Sequence, residues 1–311
     1  MKPATVGAFC AAFLLAALAS PISAQGDSRT ARVELGRRLF YDGDLSADGS
    51  MACASCHEQK HGFAHPSETR PGVTGEAGRR NVPGLANLAG LRRFNWADNR
   101  ITTLEAQAEV PMFGDRPVEL GMKGREAELA RRLAADPCYV AMFRRAFPER
   151  RGRIDTAAIT GALAAFTQSL VSRRSLWERG DFPLSAAARR GAARFTSACA
   201  SCHAGNDFTD GDYHALEKKG PDTGLMEATG DPADAHRFRT PGLRNVAITG
   251  PWMHDGRAAT LGEALDRHGD AAPLSPAERA DMLQFLATLT DDFFLQDKRF
   301  GYPETACGRK L

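Results

Sequence analysis

Cys53-Ala-Ser-Cys56-His57 returns as Cys199-Ala-Ser-Cys202-His203, the same pentapeptide 146 residues later. No other feature of the sequence constrains the fold so tightly. C-x-x-C-H is the attachment pattern of c-type haem. Its two thiols form thioethers to the porphyrin, and the adjacent His brings an imidazole under the iron. A single C-x-x-C would leave a zinc site or a redox dithiol open. A zinc site wants two such pairs converging and has no use for the trailing His, so two copies, each with its His, point to haem. Each copy also follows an amphipathic stretch with a Gly four residues before a Phe, Gly36 to Phe40 and Gly191 to Phe195. The simple reading is two homologous haem domains.

The seven cysteines divide accordingly. Met1-Lys2 gives a basic start, Val6 to Leu18 is almost unbroken apolar sequence, and Ser20-Pro21-Ile22-Ser23-Ala24 ends in small residues. This pattern predicts a signal peptide over residues 1–24, cut before Gln25. The apolar run is short of the roughly 20 residues that a membrane span needs. Cys10 would leave with the signal. Cys53, Cys56, Cys199 and Cys202 would carry haem. Cys138 and Cys307 remain, either bridged in an oxidising compartment or buried as separate thiols. The expected location is the periplasm.

A chain of 311 residues suits two domains. Its net charge of +2 gives no sign of a nucleic-acid partner, and no later stretch is apolar enough to span a bilayer. Amphipathic helices are expected over 32–40, 126–133, 155–171, 186–195 and 276–289. Asp155 is a candidate N-cap, and Ser275-Pro276-Ala277-Glu278 a capping box with Pro at the first helical position. Strand signals are scarce, and 65–81 and 205–240 read as long loops, as expected where a large cofactor fills core volume. The predicted class is mainly α, two cytochrome c-like haem domains with long loops. They would span 25–175 and 176–295, linked near Val171–Pro183, with 296–311 a tail packing back on the first domain.

What fills each iron's sixth position decides between electron transfer and chemistry at an open site. His61 and His65 lie too near the first attachment site to reach its far face easily and read as loop or propionate contacts. His214 and His236 read as solvated. His254 and His268 stand in a sharper context.

In that context the sequence resembles the bacterial di-haem cytochrome c peroxidases and their relative MauG. LGRRLFYDGDLSADGSMACASCH, RRNVPGLANL, Trp96, TLEAQA, PVELGM, the second CASCH and TPGLRNVAITGPWMHDGRAATLGEAL follow in the family's order across nearly all of the mature chain. The run FNWADNRITTLEAQAEVPMFGDRPVELGM and the compact length look most like the MbnH group. The resemblance implies that the N-terminal haem reacts with hydrogen peroxide. His57 would be its proximal ligand, Gln107, Pro111 and Glu119 would line the distal pocket, and Glu119 would act as general acid and base. Many family members place a gating His near the position of Val73, and none stands there, so this haem is expected open, with His65 the one His that could swing in. His203 would be the second haem's proximal ligand. Its distal ligand in the family lies 14 residues after the His of HDG, and from His254 this count reaches His268. Met253 and Met226 are the spare candidates. Trp96 resembles the relay between the haems, although Trp96-Ala97-Asp98-Asn99-Arg100 carries one residue more than the usual W-D-G-R. Asn81 with the carbonyls of Thr249 and Pro251 matches the family's Ca²⁺ site. The surface Trp that MauG carries before its second C-x-x-C-H has no counterpart in Thr196-Ser197-Ala198, so an exit through Trp177 or Trp252 is a candidate.

Two functions follow from the resemblance. In the first, peroxide drives the two haems to a high-valent state that oxidises a residue of a partner protein, Trp to kynurenine in a copper-binding protein. In the second, a cytochrome c peroxidase reduces peroxide with electrons from a small cytochrome or cupredoxin. A pure electron carrier would need a sixth ligand on the first haem, and the sequence offers none.

Overall fold

The computed structural model describes residues 1, 21–180, 183–216, 220–269 and 273–311. The expected signal segment lies outside them, apart from residue 1 and the backbone of 21–24. Among the described residues the regular structure is mainly helical, and no helix is long and apolar enough to cross a membrane.

Helix α1 (Pro21–Phe40) is followed by some sixty residues holding only single 3-10 turns, and then come α2 (Leu104–Phe113), α3 (Glu126–Ala134), α4 (Pro137–Ala146) and α5 (Thr156–Ser169). The second half repeats the plan. A one-turn helix α6 (Leu176–Arg179) leads into α7 (Ala186–Ala198), then a loop region containing α8 (Met226–Thr229), then α9 (Leu261–Asp266), α10 (Pro276–Ala287) and the short α11 (Asp292–Gln296). Two small antiparallel ladders complete it. β1 (Tyr213–His214) pairs with β2 (Phe238–Arg239), and β3 (Thr305–Ala306) with β4 (Arg309–Lys310).

The local chemistry explains the helix starts. Asp155 accepts from the Ala158 amide, and Ser275 and Glu278 cap each other's backbone with Pro276 at the first helical position. α2 and α4 were not anticipated. Thr103 and Asp136 cap them, and Pro137 opens α4.

Each half is built on one helix crossing, α1 on α5 and α7 on α10. The recurring glycines lie at these crossings. A Cβ on Gly36 would strike the Ala162 carbonyl, and one on Gly191 the Asp281 carbonyl. The recurring phenylalanines pack beside them, with Phe40 5.2 Å from Phe166 and Phe195 5.1 Å from Phe285 between ring centres. The first core gathers Leu35, Leu39, Met112, Leu129, Phe143 and Phe166; the smaller second core holds Phe195, Phe208, Met282, Phe285 and Leu286.

The halves are joined by buried polar residues. Asn87 exchanges both its amide hydrogen bonds with the Ser172 backbone, while Asn245 donates to the Ser172 hydroxyl and accepts from the Asp291 amide. Phe294 already packs in the first core, ahead of residue 296, where the sequence reading starts the tail. Phe300 joins it, Tyr41 donates to the Phe300 carbonyl and Arg37 to that of Gly301. Cys138 and Cys307 form a disulfide.

Candidate functional site

The two C-x-x-C-H segments fold alike. In each, the His backbone N–H bonds back to the carbonyl of the first Cys, Cys53 or Cys199, so the five residues make one tight turn against the helix before it. His57 Nδ1 lies 2.7 Å from the Phe63 carbonyl and His203 Nδ1 2.9 Å from that of Phe208. A carbonyl can only accept, so Nδ1 carries the proton and Nε2 keeps its lone pair. Burial pushes both imidazoles down to about 4, which holds them neutral at physiological pH. A neutral, oriented imidazole with a free Nε2 is what a metal requires. The carbonyls of Pro83 and Pro241 lie against the same two rings.

Three of the four thiols are unsuited to dithiol chemistry. Burial, with a smaller contribution from Cys56, raises Cys53 to about 12; burial and then Glu119 raise Cys56 to about 11; burial also raises Cys199. These groups stay protonated, the opposite of a reactive thiolate, and remain available for thioether bonds.

In the second half a cavity of about 360 Å³ opens beside Cys199, Cys202 and His203, a size common for cofactor sites. His268, just past α9, faces it, and its Nδ1 donates to the Ala264 carbonyl at 2.8 Å, again leaving Nε2 free. The ring centres of His203 and His268 are 6.3 Å apart. A metal sits about 2.0 Å from an imidazole nitrogen, and that nitrogen roughly 1 Å from its ring centre, so two imidazoles flanking one metal have centres about 6 Å apart. The pair has that spacing. Met253 also lines the cavity; Met226 starts α8 and does not.

In the first half, α2 and the loop after it bring together the three residues expected in the distal pocket. Gln107 and Pro111 are one turn apart on α2, and the Leu120 amide bonds to the Pro111 carbonyl, which sets Glu119 beside them. Pro111 has no N–H to return to the Gln107 carbonyl and so loosens the helix at this point. Burial raises the Glu119 carboxyl above the usual carboxylate range, and its influence on Cys53 and Cys56 places it next to the attachment turn. The loop over residues 70–78 is tied down by the Val73 amide, which donates to the Glu119 carbonyl at 2.8 Å. His65 is spoken for: its Nδ1 accepts from the Ser67 amide and its Nε2 faces Glu58 at 3.6 Å.

Trp96 links the two regions. It lines the second cavity and donates its indole N–H to the Asn81 carbonyl, while its neighbour Asn95 reaches Gln107. The additional residue is absorbed locally: Asn95 caps the Ala97 amide and Asp98 binds Arg100. Asn81 is buried, its backbone N–H on the His254 carbonyl and its amide nitrogen on that of Glu68. Its amide oxygen and the carbonyls of Thr249 and Pro251 are oxygen groups of the hard kind that Ca²⁺ prefers.

The sequence reading missed the backbone acceptors of Phe63, Phe208, Pro83 and Pro241, and the clasp residues Asn87 and Asn245. One signal was available. Pro83-Gly-Leu-Ala-Asn87 returns as Pro241-Gly-Leu-Arg-Asn245, 158 residues on, a second internal repeat. Both Asn residues adopt left-handed backbone conformations, which Asn tolerates well.

Comparison with known proteins agrees with this arrangement. The family model described as di-haem cytochrome c peroxidase matches residues 30–180. The methylamine utilization protein MauG of Methylorubrum extorquens is 35% identical over 280 residues, covering 83% of this chain and 78% of that protein. The cytochrome c551 peroxidase of Nitrosomonas europaea is 33% identical, covering 88% and 84%. Among solved structures, a MauG-like protein associated with microbial copper homeostasis superposes with a TM-score of 0.81 at 33% identity, over 88% of this chain and 93% of that one. The di-haem peroxidase BthA of Burkholderia thailandensis gives 0.68 at 26% identity, over 87% and 89%.

Proposed function

The chain belongs to the di-haem cytochrome c peroxidase family that includes MauG, and within it we propose that hydrogen peroxide is used to oxidise a residue of a partner protein, Trp to kynurenine in a copper-binding partner. The haems, when bound at Cys53/Cys56 and Cys199/Cys202, supply the redox chemistry, and the rest falls to the chain. His57 and His203 would ligate the two irons, and His268 would supply a second imidazole to the iron held by His203. Glu119 takes a proton from peroxide and returns it to the leaving oxygen, Gln107 orients the bound molecule, and Pro111 keeps the wall beside them apolar. Trp96 carries charge between the halves, and Asn81, Thr249 and Pro251 hold Ca²⁺ at their junction.

The observation that carries this reading is the contrast between the halves. His203 and His268 are spaced to share one metal. Near His57, the position of the expected gating residue is Val73, tied by its backbone, and both nitrogens of His65 are engaged. With haem bound, the first iron would keep an open position and the second would take two strong donors. Imidazole in place of thioether lowers the potential of the closed site, which favours storing oxidising equivalents over storing electrons. Export to the periplasm accords with the disulfide. For the exit, Trp177 is the better placed candidate. It is 38% exposed and packs edge-on to Phe285 at 5.0 Å, and Phe285 leads through Phe195 to His203. Trp252 instead donates to the Val246 carbonyl inside the second unit.

Cytochrome c peroxidase turnover is the second reading, favoured by the retained pair of Gln107 and Glu119. Electron paramagnetic resonance of the resting ferric holoprotein tests the first step. One high-spin and one low-spin haem are expected, and two low-spin signals with no high-spin signal would sink the open-site reading. Mass spectrometry of an exported copper-binding protein encoded alongside, treated with enzyme and peroxide, separates the two functions. Oxygen added at a Trp supports partner oxidation. An unmodified partner together with rapid oxidation of a reduced small cytochrome supports the peroxidase.

A further inference from the structure

Four arginines line the cavity of the second half, and three of them have acids. Arg79 pairs with Glu227 at 2.6 Å, Arg244 with Asp207 at 3.0 Å and with Glu178, and Arg257 with Asp255 at 2.8 Å. Arg239 differs. It is 5% exposed, yet no acidic side chain among the described residues pairs with it. One terminal nitrogen donates to the Thr240 carbonyl at 3.2 Å, and its buried Nε has no partner among the described residues. Directly across the β1–β2 ladder stands Tyr213, whose hydroxyl donates to the Asn95 carbonyl and supplies no negative charge.

A guanidinium does not give up its proton in a protein, so Arg239 is a buried positive charge. Burying such a charge without a counter-ion is heavily penalised, and Arg239 lines the cavity with the Thr240 carbonyl as the one acceptor on its fork among the described residues. Carboxylates are the groups that such a fork binds best. Position narrows the choice of carboxylate. The Arg239 amide donates to the Trp96 carbonyl, so Arg239 and Trp96 are neighbours in the lining of the cavity that also takes in Cys199, Cys202 and His203. We propose that Arg239 is the anchor for a propionate carboxylate of the second haem, fixing that edge of the macrocycle beside Trp96. The inference rests on the two-haem part of the reading above and not on the reaction or the partner. Arg239 is a positioning residue. Its charge disfavours the ferric state of the haem it anchors, so it also raises that haem's potential.

The test uses the full-length holoprotein with both haems attached, without peroxide or partner. Resonance Raman reports hydrogen bonding to propionate through the propionate-bending band, and spectroelectrochemistry gives each haem's midpoint potential. In R239Q, the band of one haem is expected to shift and the potential of the same haem to fall, the other haem being unchanged. In R239K, whose point charge replaces a fork, the band shifts part of the way. Y213F is expected to leave both readouts as in the wild type. A folded R239Q with wild-type band and potential at both haems overturns the proposal. If R239Q does not accumulate, R239K decides: an unshifted band overturns the proposal and a partial shift supports it. Failure of the partner-oxidation reading would leave these readouts untouched.

Discussion

Glu119 shows how one buried carboxyl acquires a task. In water it would be a solvated surface acid, and PVEL alone gives no reason to think otherwise. The fold places it beside Pro111 and the first attachment turn, and burial raises its pKa. A base must be ionised to accept a proton, so the rate of reaction with peroxide is expected to fall as pH drops through that raised value. In E119Q the rate should fall by about 10²-fold or more, the usual contribution of a positioned acid–base group, and the acid limb should vanish, as stopped-flow mixing with peroxide would show. Haem content should not change. A second residue-scale prediction concerns His268: H268M should raise the second haem's potential, because Met with His gives higher potentials than two imidazoles, and a redox titration reads this directly. The turns that orient His57 and His203 were legible from two short motifs because the repeat fixes their residue types. The carbonyls of Phe63 and Phe208 were not, because any residue can supply a backbone acceptor.

At the scale of elements, the two helix crossings were half legible. The recurrence of Gly and Phe before each motif marked the helices, but their partners, α5 and α10, share no obvious pattern with each other. At the crossings each glycine admits a neighbouring backbone carbonyl where a methyl group would collide. G191A is therefore expected to destabilise the holoprotein by roughly 1–3 kcal/mol, the range for overpacking a tight contact, measured as a lower denaturant midpoint with an unchanged slope. α2 escaped the sequence reading for a physical reason. Pro111 inside a helix normally argues against one, yet here the carbonyls around it are taken up by Leu120 and Met122, whose amides bond to Pro111 and Met112.

Across the whole molecule, the chain leaves the first half at Leu170, builds the second, and returns. Residue composition gave no hint of where the return begins. It starts at Asp291, whose carboxylate accepts from the Arg174 amide and caps α11 at Phe294, so the last residues are shared property of both halves. Replacing Cys138 and Cys307 together by Ala should cost about 2–4 kcal/mol, the usual worth of a disulfide closing a long loop, and lower the melting temperature. Reductant should lower the wild type towards the double variant and leave that variant unmoved.

That return has a consequence for biogenesis. Phe294 and Phe300 complete a core whose other members are made at the start of the chain. The first half therefore completes its core only when the final residues arrive. Contacts between the two ends are slow to form because the whole loop between them must be closed first. If the four motif cysteines take haem as proposed, a late-forming Cys138–Cys307 bridge would keep those two thiols apart from the four while the cofactor is attached.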